Sequence, residues 1–229
     1  MLRLKFSAAA GVPALALLTY LAVGPQRIQA QSSGPVANGS IGAQVLGRVR
    51  LQPDFSVKLY GYFTYIAGVP GSIFTGVPSE NTAMLTYSAE PTGATLIRNG
   101  DIVQGLENPA NGQYTVLSIY YNPNPSSRNI LNPDDFTQGQ LIAKFRSRAA
   151  AVNIAASGSF QASSGLSMET SSFFIINGQP MNFANIANGL SLSLFGPAPS
   201  FDTITAGLLN DGSASISLSG TAYIAGTPN

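Results

Sequence analysis

The 229-residue chain has no cysteine, no histidine and no tryptophan, and only 9% of its residues are charged. Each absence closes a class of chemistry. Without Cys there is no disulfide and no thiolate nucleophile. Without His there is no Ser-His-Asp triad, and zinc loses its usual ligands. Without Trp the common stacking platform for sugars is missing, and so is the Gly-x-Trp opening of lipocalin barrels. With Cys also missing, the Cys…Trp…Cys signature of immunoglobulin domains is excluded.

Charge is sparse as well as balanced. The basic residues number 11 and the acidic residues 10. No polybasic cluster marks a nucleic-acid footprint or an anionic membrane surface.

Residues 1–30 have the form of a secretory signal peptide. Arg3 and Lys5 make a positive start, and an apolar run extends from Phe6 to Val23. Gly24-Pro25 breaks it, and a polar segment leads to Ala30. Cleavage is expected after Ala30, leaving Gln31 first. The alternative, an uncleaved anchor, is disfavoured because the run is at the lower limit for spanning and contains Gly11 and Pro13. The run is not followed by Cys, so no lipid anchor is expected, and no twin-Arg pair precedes it. Removing 1–30 takes Arg3, Lys5 and Arg27 but no acid, which makes the mature net charge −2. Roughly 200 residues can build a core without disulfides. A Cys-free exported domain suits a bacterial periplasm or medium. The sequon Asn38-Gly39-Ser40 is too short a motif to carry meaning.

Residues 31–41 are expected to be a flexible polar linker, and 42–229 a single β domain. Val57–Ala67 and Tyr114–Tyr121 are dense in aromatic and β-branched residues on both faces, which predicts strands covered on two sides. Gln140–Ala149 alternates, with Leu141, Ala143, Phe145, Ser147 and Ala149 predicted inward. In Ala214–Ile224 the predicted inward set is Ala214, Ile216, Leu218, Gly220, Ala222 and Ile224, and the serines face out. Asn99-Gly100, Asn111-Gly112, Asn177-Gly178, Asn188-Gly189 and Asp211-Gly212 punctuate these runs at turn positions. The expected fold is all-β: one antiparallel barrel or sandwich of roughly 8–11 strands with little helix. Asp134–Phe136 and Met181–Ala187 are the two places where a short helical turn is expected. Tyr65-Ile-Ala-Gly-Val-Pro70 is echoed by Tyr223-Ile-Ala-Gly-Thr-Pro228, which suggests neighbouring strands that seal the first and last parts of the sheet.

The chemistry left to the chain is carboxylates, hydroxyls, arginines and, after the signal, Lys58 and Lys144. A glycosidase needs two facing carboxylates. Most acids sit beside Pro, Gly or Asn, as turn residues do. Glu80 and Glu169 are the exceptions. Asn132-Pro-Asp134-Asp135 offers oxygen atoms to Ca²⁺ but lacks EF-hand spacing, and a capped turn is the preferred reading. No S-x-x-K motif supports a Ser-Lys dyad at Lys58 or Lys144. Lys144, Arg146 and Arg148 share a strand face that could meet a small anion or an acidic glycan; the preferred reading is structural, an ordinary solvated face or an edge protected from sheet-to-sheet pairing by charge.

No catalytic, cofactor-binding or metal-binding residue is therefore assigned, and no cofactor is expected. The leading expectation is an exported, non-enzymatic binding or surface-structural domain. The alternative is a small barrel whose Leu59–Ile66 and Tyr114–Tyr121 segments line a cavity for an apolar molecule, binding or even isomerising it. An outer-membrane barrel is disfavoured, because the outward face of the last strand is Ser-Ser-Ser-Thr-Tyr.

Overall fold

Alternation decides the last strand. In β12 (Ala214–Ile224), Ala214, Ile216, Leu218, Ala222 and Ile224 are buried, while Ser217, Ser219 and Tyr223 are exposed. This is the pattern that the sequence predicts. The computed structural model describes residues 36–52, 57–92, 95–99, 102–107, 109–155, 158–197 and 211–226. The signal segment 1–30, Asp54, Gly100, Asp101, Asp202 and Pro228 lie outside these residues.

β12 pairs with β1 (Ile41–Leu51), and β1 pairs on its other side with β2 (Val57–Ile66). From β2 the ladder passes to β3 (Leu85–Thr92), then to β6 (Tyr114–Tyr121) and to β7 (Gln140–Ala155). It continues through β8 (Ser159–Ser171) and β11 (Gly189–Pro197) back to β12. The β1–β12 and β7–β8 pairings close the ring, so the fold is a closed eight-stranded antiparallel barrel and not a sandwich. Closure removes the open edges that a sheet of this length would expose. Two hairpins interrupt the meander. β4 (Thr95–Asn99) and β5 (Ile102–Leu106) come between β3 and β6; β9 (Phe174–Ile176) and β10 (Gln179–Met181) come between β8 and β11. Asn177 and Gly178 form the tip of the second hairpin with φ of 51° and 75°, the positive pair that a tight primed turn requires. No α-helix occurs among the described residues. Pro109–Asn111, Pro133–Phe136 and Phe183–Asn185 form single 3₁₀ turns.

The repeated Ile-Ala-Gly ends do not pair with each other. β2 and β12 both flank β1, where the amide of Ala67 donates to Gly42 and that of Ile224 to Ser40. The echo therefore marks two strands leaving the same end of the barrel on either side of the first.

Two readings of β7 need correction. Leu141 was expected inward, but it is exposed and Ile142 is 1% exposed. The β6–β7 register passes from Ile119↔Ala143 to Tyr120↔Leu141, so Ile142 is an extra residue that inverts the alternation. A second bulge at Arg148 turns Ala149 outward in the same way. β7 is also not an edge. It pairs with β8 along its length, with β6 up to Arg146 and with β5 from Ala151. Its cations therefore do not protect a free edge. Of the expected linker 31–41, residues 36–41 are described: Val36 packs against the core, and the Asn38 side chain accepts from the Gly226 amide.

The outer face of β2 is covered, which explains its apolar composition. The Pro133–Phe136 turn lies over it, and the Phe136 ring sits 5.3 Å from that of Tyr60. The Phe136 carbonyl accepts from Thr86 Oγ1 at 2.7 Å. Arg128 ties this segment down by donating to the carbonyls of Asp135, Glu80 and Ala83.

Candidate functional site

An eight-stranded barrel has an interior just wide enough to be filled by side chains or to leave room for one small ligand. This barrel does both, one at each end. At the end where β6 and β8 finish, large residues fill the core. Tyr121 and Phe174 rings lie 5.1 Å apart, and Phe183 stacks on Phe174 at 6.1 Å. Nearer the middle, Tyr87 lies opposite Gly61, which in turn faces Gly47. A Cβ at Gly47 would come within 2.6 Å of the Tyr87 hydroxyl, so the glycine makes room for the ring. Phe63 meets that ring edge-on at 5.6 Å. Burial raises the Tyr87 phenol pKa far above its usual range, and its oxygen has no hydrogen-bond partner.

At the opposite end three of the inward residues are alanines. Ala89 of β3, Ala150 of β7 and Ala162 of β8 stand where the other end has aromatic rings. They leave a cavity of about 70 Å³. Val49, Leu59, Leu117, Phe160, Leu194 and Ile216 complete its apolar wall, so all eight barrel strands contribute. Of the segments expected to line a cavity, Leu59, Thr115 and Leu117 do so. Most of the other inward residues of β2 and β6 belong to the filled end.

Among the described residues, a single charged side chain, Glu107, reaches this wall. It follows β5, at the point where β7 exchanges partners. β6 leaves β7 after Arg146 and β5 joins it at Ala151, so Ser147–Ala150 have neither strand on that side. Glu107 bridges the gap. Its Oε1 accepts from Thr115 Oγ1 and its Oε2 from Ser147 Oγ. The Thr115 amide, deprived of a ladder partner, donates to Ser147 Oγ at 2.7 Å. Thr115 and Ser147 are buried, and a buried amide left unpaired would cost a full desolvation penalty. The trio is thus a polar clasp on a seam in an otherwise apolar cavity. Sequence reading missed Glu107, because it resembles a turn acid beside Asn108-Pro109. The available signal was Ser147, a hydroxyl on the buried face of β7.

The residues weighed from the sequence have other roles. Glu80 lies between β2 and β3, where its carbonyl serves Arg128. Glu169 is on β8 and pairs with Arg146. They sit on non-adjacent parts of the barrel and form no catalytic pair. Arg146 also stacks over Tyr114, 4.2 Å from the ring centre. Asn132 caps the Pro133–Phe136 turn, as expected. Asp135 accepts from the Asn129 amide at 2.7 Å and from Asn132 Nδ2 at 2.8 Å. Among the described residues, no three His, Cys, Asp or Glu side chains gather as a metal-binding group.

Lys58 bridges Glu90 at 3.0 Å and Asp134 at 3.3 Å. Burial pulls its pKa down, but the two carboxylates outweigh that and the net shift is upward. Asp211 accepts from the Ser213 hydroxyl and amide and pairs with Arg50. These contacts, Ser213 first, hold its carboxyl at a pKa of about 2.

The arrangement suits retention of an apolar group better than bond chemistry. One carboxylate with both oxygens engaged cannot supply the two facing acids of a glycosidase. Comparison of the chain with family models, with curated proteins and with solved structures gave no match.

Proposed function

We propose that this chain is an exported, non-enzymatic binding protein whose barrel holds the apolar part of a small molecule. The observation that carries this reading is the contrast between the two ends of the interior: clustered aromatic rings fill one end, and at the other Ala89, Ala150 and Ala162 leave a hollow walled by larger apolar side chains. An apolar cavity of this kind stays dry and gains by accepting hydrocarbon. Its volume is about 70 Å³, against roughly 150 Å³ for an engineered cavity that takes benzene. The matching ligand part is therefore slender, such as the end of an alkyl chain. Each methylene buried there contributes about 0.8 kcal/mol. A lipid-spanning barrel is not favoured, since such barrels have polar interiors and apolar exteriors. Here the core is apolar, and Lys144, Arg146 and Arg148 are on the outside.

Titration calorimetry of the full chain with n-alkanols of increasing length tests the reading. Saturable binding should strengthen by about 0.8 kcal/mol per methylene and then level off as the cavity fills. Ala162→Leu, which places an isobutyl group in the cavity, should abolish binding. Absence of saturable binding, or equal binding by the filled variant, would remove the proposal.

A further inference from the structure

The outer surface has a second concavity, which shares only Leu166 with the lining of the apolar one. An open groove of about 360 Å³ crosses β7, β8 and β11, bounded by Arg148, Gly165, Ser167, Asn188, Ser191 and Gly226. Three observations make it more than a surface irregularity.

The first is the placement of Arg148. Ser147 pairs with Leu166 and Ala149 with Gly165, so Arg148 is the extra residue of a bulge. Bulges re-aim side chains, and this one places a guanidinium beside the groove. Its neighbour Arg146 is occupied by Glu169 and Tyr114. Arg148 has no such partner among the described residues.

The second is Gly165. It lies in mid-strand, opposite Ala149 on one side and Ser191 on the other. A Cβ there would meet nothing within 4 Å, and its φ is not positive. Neither space nor backbone conformation requires glycine, although glycine weakens a strand interior. What the missing side chain does is leave the groove floor bare.

The third is the mixed character of the walls, in which Leu166, Leu190 and Ala225 stand beside polar residues. Ser191, paired with Gly165 across the ladder, and Ser167, two positions along β8, line the groove with hydroxyl-bearing residues, and together with the apolar wall they suit the hydroxyls and C–H faces of a sugar ring. An exposed arginine alone adds little affinity for a bare ion. The groove is also far larger than the roughly 30 Å³ share of one water molecule.

We propose that this groove binds a sugar residue carrying a carboxylate, as in an acidic polysaccharide. Arg148 takes the carboxylate through its planar fork. The serines take ring hydroxyls, and the ring lies over Gly165. Arg148, Gly165, Ser167 and Ser191 do not line the barrel cavity.

The test is calorimetry of the full chain with tri-galacturonic acid, with a neutral galactose oligomer and inorganic sulfate as comparators. Saturable binding of the acidic trimer is expected, at least tenfold tighter than either comparator. Arg148→Gln should weaken it at least tenfold. Gly165→Leu should abolish it without lowering the melting temperature, because the added side chain enters open space. Alkanol binding in the barrel should be unchanged in both variants, which separates this site from the other. Failure of the trimer to bind, or binding indifferent to both substitutions, would overturn the proposal. Sulfate binding as tightly as the trimer would overturn the sugar and leave only an anion.

Discussion

Gly220 of β12 stands directly opposite Leu194 of β11, and the Leu194 side chain occupies the place that a Cβ at 220 would take, with Cδ2 2.4 Å from it. The Ser193 carbonyl is 2.5 Å from the same point. The glycine is thus fixed by an inward leucine and by a close backbone. Gly220→Leu should cost about 1–3 kcal/mol or more through overpacking. Leu218→Ala, which empties a buried site on the same strand, should cost about 2–5 kcal/mol. Ser217→Ala, on the exposed face, should stay within about 0.5 kcal/mol. Equilibrium denaturation of the three variants checks the order; a costly Ser217→Ala beside a harmless Leu218→Ala would invert the strand.

Glu107 gives the second prediction. Glu107→Ala leaves the hydroxyls of Thr115 and Ser147 without their acceptor at the β5–β6 seam. Hydrogen bonds to a charged group are worth about 1.5–3 kcal/mol, and the loss should fall in that range. Amide exchange should accelerate first at Thr115, whose amide depends on Ser147. Protection at Thr115 equal to that of the wild type would mean that the trio does not hold the seam.

The third concerns acid. The Asp211 carboxyl titrates at about 2 in the folded chain, below its usual 3.8. A depressed carboxylate adds stability above its unfolded pKa and loses that contribution as pH falls through the folded one. The stability difference between the wild type and Asp211→Asn should therefore be constant at neutral pH. It should shrink from pH 4 downward and vanish below pH 2. The group is exposed, so added salt should reduce the difference throughout. A difference that persists at pH 1.5 would show that the Arg50–Asp211–Ser213 contacts are not its source.

The fold class was legible where one face is wet. β12 and the inner face of β6 follow period two without interruption. Alternation does not record closure, because barrel and sandwich share the same pattern. The distinction rests on the β1–β12 pairing between residues far apart in the chain, such as Val49↔Ile216, 167 positions apart, and Ile41↔Tyr223, 182 apart. Bulges are equally silent: nothing in Gln140–Ala149 announces that Ile142 and Arg148 are extra residues. The cavity was half legible. Small residues at 89, 150 and 162 read as ordinary alanines until the barrel places them at one end. Glu107 was hidden because its role arises where β7 exchanges β6 for β5, which depends on three strands at once.

The central claim is that one end of the barrel is hollow and open to apolar matter. Diffraction from crystals of the full chain under xenon pressure tests it most directly, because xenon enters dry apolar cavities by dispersion alone. The prediction is a xenon peak among Ala89, Ala162, Leu194 and Ile216 that is absent from Ala162→Leu crystals. An empty interior in the wild type, with xenon absent or bound only elsewhere, would contradict it.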